Sequence, residues 1–262
     1  MDRLKVGYGD RTVIEELTLT VDAGEGVALR GPNGIGKSTV LRCVAGLLEP
    51  ADGLVRVGGA PVDERSKLFR RSVAALLDAP AWYPGLSARE HLSLVRLANA
   101  PVGDDWFAEG ELAERLGVDG FADASPSSLS SGQRQRLALA MVLDRPSRLL
   151  LLDEPERHLD QDGRAVVATL IEEYLGRGGA ALLASHDPTV TAGCAIIELG
   201  YDWAGEADDG PEDTGDAPED GGDGPVDGVD GPVDGGDDGD GPEDGVDGPG
   251  AAAGGTGAAG TR

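Results

Sequence analysis

Apolar positions along the first two hundred residues follow two periods. Short apolar or alternating runs at Leu4–Tyr8, Leu17–Val21 and Gly26–Arg30 read as strands, punctuated by the turn signals Gly9-Asp10 and Ala23-Gly24-Glu25. Leu54–Val57 and Val73–Leu77 add two more, and Val40–Leu47 has the spacing of an amphipathic helix. From Ser87 to Gly117 the period is helical, with Leu92, Val95 and Leu97, then Phe107, Leu112 and Leu116. This predicts a helical subdomain over approximately 82–130. Leu137, Leu139, Ala140 and Leu143 mark a further helix, followed by the strand Leu149–Leu152, a helix over Asp160–Leu175 and the strand Ala180–Ala184. A short helix and the strand Ala195–Leu199 complete the pattern. Strands alternating with helices predict an α/β fold, because parallel strands need crossover connections and helices are what usually supply them.

The composition changes abruptly at Gly205. From there to Arg262 the chain is Gly, Asp, Pro, Ala and Val in a loose repeat, with 18 acids against one base, which leaves −9 of the −26 formal charge to the rest. Such a segment buries too little apolar surface to offset the entropy of ordering it, so 205–262 is expected to be a disordered acidic tail beside a folded domain 1–204. The folded part has no basic block, and no nucleic-acid partner is expected. Cys43 and Cys194 lack metal-ligand spacing and read as reduced core thiols. The N-terminus has no signal-peptide core and no window approaches 18 uninterrupted apolar residues, so a cytoplasmic chain is expected.

The candidate chemistry starts at Gly31-Pro32-Asn33-Gly34-Ile35-Gly36-Lys37-Ser38-Thr39, set between the strand Gly26–Arg30 and a helix. Glycines at this spacing let consecutive N–H groups turn inward around phosphate oxygens, and the helix adds its positive N-terminal end. Lys37 reaches the outer phosphates, and Ser38 offers a hydroxyl oxygen to Mg²⁺. Asp153 closes the strand Leu149–Leu152, where a carboxylate is costly unless it meets a cation or hydrogen bonds. Glu154 follows it, then Pro155.

Downstream of the phosphate loop stand Leu129-Ser130-Ser131-Gly132-Gln133, the Asp153-Glu154 pair, Leu159-Asp160 and Ser185-His186-Asp187, with the aromatic Tyr8 upstream. In this order, over roughly residues 3 to 200, the chain resembles the ATP-binding cassette (ABC) ATPases. The resemblance implies a P-loop NTPase of ABC type, with an N-terminal antiparallel β subdomain and an inserted helical subdomain. ATP and Mg²⁺ are the implied ligands, and Gly31 to Thr39 are the implied ATP-binding residues, with Tyr8 stacking on adenine. Ser38, Asp153 and Asp78 would serve the metal, Glu154 would polarise the attacking water, and His186 would sense the γ-phosphate. Leu129, Ser130, Ser131, Gly132 and Gln133 would contact ATP held by an opposite protomer, with Asp160 at the dimer seam.

Three places depart from the family pattern, one of them Glu156-Arg157-His158, bulkier and more charged than the small residues usual before the seam Asp160. Ser131 stands where glycine is usual, and Asp78 stands at the end of a strand where the family has glutamine. The resemblance further implies a transporter subunit, of the export type and a homo- or heterodimer, that drives a separate membrane permease from the cytoplasmic face of the cell membrane. Trp82-Tyr83-Pro84-Gly85-Leu86 is the expected docking stretch. A non-transport clamp, or a catalytically weak regulatory cassette in a heterodimer, are the alternatives.

Overall fold

The computed structural model describes residues 1–9, 11–99 and 107–200, all within the unit Met1–Gly210. The acidic stretch 205–262, expected to be disordered, lies outside the described residues. In chain order the elements are β1 (Asp2–Tyr8), β2 (Arg11–Leu17), β3 (Gly26–Arg30), α1 (Lys37–Val44), β4 (Asp52–Leu54), β5 (Arg56–Val57), β6 (Ala60–Pro61) and α2 (Lys67–Ser72). There follow β7 (Val73–Leu76), α3 (Ala88–Ala98), α4 (Glu111–Arg115), two 3₁₀ turns, α5 (Ser131–Leu143), β8 (Leu149–Asp153), α6 (Gln161–Gly176), β9 (Ala180–Ala184) and β10 (Ala195–Glu198).

The N-terminal part is antiparallel, in the order β2-β1-β4. Leu4 faces Leu17 and Val6 faces Ile14 across β1 and β2, and all four are fully buried. The expected strand Leu17–Val21 is therefore corrected: the strand ends where that one was to begin. Tyr8 pairs with Arg11, so the chain turns straight back, and register shifts in β1 let the adjacent exposed acids Glu15 and Glu16 break the alternation that marks a strand. Leu19 instead exchanges backbone hydrogen bonds with Met1, at 3.0 and 2.7 Å. The short helix expected before the last strand is also absent, since residues 188–193 form turns. Conversely α2 had no periodic signal. It is six residues long and is started by Ser66, whose side chain accepts the Phe69 N–H.

Five strands form the central sheet in the order β10-β3-β9-β8-β7, and every neighbouring pair is parallel. Their sequences are nearly continuous apolar runs because both faces are covered. Successive residues of β8 divide between the two faces with the strand period: Leu150 and Leu152 pack with Leu137, Leu139 and Tyr174 of α5 and α6, while Leu151 packs with Val40 and Leu41 of α1 and with the N-terminal hairpin. The inserted region, α3 to the start of α5, joins the first of these cores through Leu112, Leu116 and Leu129. α3 begins with a reciprocal cap between Ser87 and Glu90.

Parallel pairing has one consequence for chemistry. The carboxyl ends of β3, β7, β8 and β9 all open on the same edge, where open α/β sheets bind ligands. The phosphate loop, Asp78, the Asp153-Glu154 pair and His186 each lie in the segment that follows one of those ends, or at the end itself.

Helix α6 is returned to the sheet by a tight turn. A Cβ at Gly179 would lie 2.3 Å from Cε1 of Tyr174, a ring that is 1% exposed and whose hydroxyl lies 3.1 Å from the Ser147 hydroxyl. The ring has nowhere to move. Gly179→Ala is expected to destabilise the fold by about 1–3 kcal/mol, read as a lower urea midpoint at unchanged m-value. An unchanged midpoint would mean that the Tyr174 ring yields freely.

Candidate functional site

The phosphate loop leaves β3 and enters α1 through Gly36, which has φ 112° and gives the helix no side-chain cap. A side chain there would be strained, and its Cβ would also fall 2.8 Å from Cγ1 of Val13 on the hairpin. Glycine at this point leaves the first N–H groups of α1 without a side-chain cap, open to an anion. Lys37 is buried, at 7% exposure, and its Nζ donates to the carbonyls of Gly31 (2.6 Å) and Pro32 (3.0 Å). Burial lowers the pKa of this ammonium, and the charges of Glu154 and Asp153 push it back up.

Asp153 ends β8 half-buried. Burial raises its pKa, a hydrogen bond from Ser38 lowers it, the Glu154 charge raises it, Arg42 lowers it and Asp78 raises it. Negative charge is thus in surplus around the Ser38 hydroxyl. Oxygen donors of this kind suit a hard divalent cation. Among the described residues no three Asp, Glu, His or Cys side chains could hold a metal by themselves. That fits Mg²⁺, which usually takes one or two protein oxygens and completes its shell with waters and substrate phosphates.

Glu154 has φ 45°, a left-handed conformation rare for a residue with a side chain. It costs about 1 kcal/mol. The backbone is held there by the Glu154 N–H donating to Ala184 O at 2.8 Å and by the Arg157 N–H returning to Glu154 O at 3.0 Å. The strained turn thereby ties the end of β8 to the end of β9, where His186 stands exposed.

The residues beside His186 are fixed by a group that sequence reasoning missed. Ser185 is fully buried; its hydroxyl donates to Glu156 Oε1 (2.8 Å) and accepts the Asp187 N–H (3.1 Å). Asp187 in turn pairs with Arg164 of α6 at 3.0 Å. Glu156 Oε2 is buried without a partner. The signal available in the sequence was the unusual acid two residues beyond Glu154, which registers only as added charge until Ser185 is placed beside it.

Leu129 is buried and Ser130 caps α5, accepting the Gln133 N–H while Gln133 Oε1 accepts the Ser130 N–H. Gly132 lies against the following turn, where a Cβ would be 2.8 Å from His158 O. Gln135 donates to Pro155 O at 3.0 Å. Asp160, the expected seam residue, caps α6 by accepting the Gly163 N–H (2.9 Å) and pairs with Arg136 of α5 (2.7 Å). The Gly163 bond is the main reason its pKa lies below the usual carboxylate value. Asp78, Ser131, Asp153 and Glu154 line one cleft of about 360 Å³. Tyr8 is half exposed and is among the groups that raise the Arg42 pKa; Arg42 pairs with Asp78 at 2.9 Å.

A family model described as ABC transporter matches residues 14–157. The chain belongs to that family. It is 37% identical over 192 residues to the cytochrome c biogenesis ATP-binding export protein CcmA of Methylococcus capsulatus, spanning 73% of this chain and 92% of the relative. It is 38% identical over 200 residues to the hemin import ATP-binding protein HmuV of Streptomyces coelicolor, spanning 73% and 70%. Among solved structures, the dimeric structure of a bacterial ABC transporter cassette superposes with a TM-score of 0.65 at 24% identity, covering 76% of this chain and 92% of that one, which bears on the fold alone. The chain is accordingly an ABC ATPase of the transporter-subunit kind, with the α/β P-loop fold and ATP as its nucleotide. No helix among the described residues is long and apolar enough to cross a membrane.

Because burial raises the Asp153 pKa, its ionised form destabilises the nucleotide-free ABC fold at neutral pH. That penalty fades as pH falls from the raised value towards 3.8, its ordinary one. Asp153→Asn should therefore raise the melting temperature of the nucleotide-free chain at pH 7, with the gain shrinking across that window. A gain independent of pH, or a loss, would contradict this assignment of charge.

Proposed function

We propose that this chain is the ATP-hydrolysing subunit of an ABC transporter, closing on a second cassette around ATP and Mg²⁺ to drive a separately encoded permease. The observation that carries the reading is the convergence of Lys37, Ser38, Asp153 and Glu154 at the carboxyl edge of the parallel sheet. Lys37 would hold the outer phosphates within the cradle of N–H groups from Gly31 to Thr39. Ser38 and Asp153 would hold Mg²⁺, which when bound offsets charge on the phosphates. Glu154 would orient and deprotonate the attacking water, and His186 would contact the γ-phosphate. Tyr8, half exposed, would stack on the base.

Dimerisation is supported by the division of the site. Ser130 and Ser131 are exposed at the start of α5, a helix end whose remaining N–H groups can complete a nucleotide site on another protomer. The dimeric cassette described above has the same fold. Asp160, already tied to Arg136, would keep this surface rigid at the seam.

A permease partner is supported by a groove of about 350 Å³ lined by Leu47, Leu77, Val95, Met141 and Val142, with Arg145 among its walls. Arg145 Nε is buried without a partner. Beside it, the docking candidate Trp82–Leu86 is clamped to α3: the Tyr83 N–H donates to His91 Nε2 at 3.0 Å, and Trp82 packs edge-on against the same ring. Tyr83 stays 61% exposed. A peripheral position on the cytoplasmic membrane face follows from such docking. Export is the direction this reading favours, supported by the similarity to the export protein CcmA, 92% of whose length the alignment spans.

The test is Mg²⁺-dependent ATP turnover by the purified chain together with its oligomeric state. Glu154→Gln should lower turnover by about 10²–10⁴-fold while leaving ATP bound in a dimer. Turnover that survives the substitution would remove Glu154 from the reaction, and an ATP-loaded monomer would remove the shared site. ATP binding without turnover in the unsubstituted chain would favour the regulatory cassette, a reading to which Asp78 lends its support.

A further inference from the structure

Asp78 occupies a junction. It lines the cleft that holds Ser131, Asp153 and Glu154, and it also lines the apolar groove of Leu47, Met141 and Val142 on the other side. A carboxylate here adds a third negative charge to the edge at which the phosphates would sit. Its field reaches the metal-side acid, since it works to raise the Asp153 pKa.

The opposing charge comes from Arg42, in the last turn of α1. Its Nη2 lies 2.9 Å from Asp78 Oδ1, and it counters Asp78 at Asp153 by favouring the ionised form. Asp78 is two-thirds exposed, and an ion pair so exposed contributes little to fold stability. Its consequence lies in the electrostatics of the site. Tyr8 at the end of β1 also acts to raise the pKa of the same guanidinium, and the ion pair joins α1 to the segment that follows β7.

We propose that Arg42 is a positioning residue at this junction: it holds Asp78 as a neutral pair, so that an acid can border the nucleotide's phosphates without repelling them. The pair turns the Asp78 carboxylate towards α1. Asp78 then acts as a tethered counter-ion of Arg42 and not as a free anion competing with the phosphates for Lys37 and the cation. This inference rests on the nucleotide reading of the site.

The test is equilibrium binding of MgATP to the full chain by calorimetry, for the unsubstituted protein, Arg42→Ala, Asp78→Asn and the double variant, at low salt and at about 0.5 M salt. Arg42→Ala should weaken binding about fivefold at low salt and less at high salt, because it exposes an unpaired charge near the phosphates. Adding Asp78→Asn should restore most of that loss, and Arg42→Lys, which keeps the charge, should cost little. Melting temperatures of the nucleotide-free variants separate this from misfolding; should Arg42→Ala unfold, Arg42→Gln takes its place in the same cycle. Additive effects of the two substitutions, or a loss in Arg42→Ala that neither Asp78→Asn nor Arg42→Lys repairs, would overturn the proposal. Equal affinity in all variants would overturn it alone, whereas no MgATP binding by the unsubstituted chain would overturn the nucleotide reading and the inference with it.

Discussion

Parallel strand pairing is the constraint from which the rest of this structure follows. Side-by-side strands running the same way must each be reached by a crossover, so all five carboxyl ends open at one edge of the sheet, and the segments after β3, β7, β8 and β9, from distant parts of the chain, share that space. The apolar runs of β3, β8 and β9 supply the burial that fixes the register. With the register set, Asp153 stands opposite Ala184, and the Glu154 N–H is carried on to the carbonyl of that residue. The catalytic candidates are placed by the sheet, and the loops add little freedom of their own.

That edge concentrates charge. Lys37 is buried by the loop whose carbonyls it bonds, and the carboxylates nearby both oppose its neutralisation and raise the energy of one another. Anionic phosphates alone would add to the negative surplus of this edge, and a cation arriving with them offsets it. The preference for the joint ligand is thus written into the ground state of the empty edge. The same logic explains why both cysteines stay outside the chemistry: burial pushes the Cys43 thiol up to about 11 and raises that of Cys194, which keeps both protonated.

What could be read from the sequence was local or periodic. The glycine spacing of the phosphate loop and the apolar strands involve neighbours within a few residues, where backbone sterics decide the outcome. Strand β2 was misplaced because its two adjacent acids hide the alternation, and α2 escaped because six residues hold less than two turns of pattern. The pairings that modify the site were out of reach for a different reason. Arg42 and Asp78 are 36 positions apart, and Ser185 and Glu156 are 29 apart, so only the sheet order brings them together. Asp160 shows the intermediate case: its place in the motif was legible, but its cap on α6 and its pairing with Arg136 were not.

These long-range pairings divide the edge into parts of unequal stiffness. The start of α5 and the turn 155–160 are locked by Gln135, by the close approach of Gly132 to His158 and by the Arg136–Asp160 pair, while Ser185 and Arg164 extend the lock to the segment beside His186. Asp78 belongs to neither lock, being held by one exposed ion pair between the cleft and the groove. The strain at Glu154 supports the same division, because a left-handed glutamate persists only where the surrounding backbone over-determines it. The catalytic candidate Glu154 thus stands on the part tied by several side-chain bonds across the fold, and Asp78 on the part tied through its pair with Arg42.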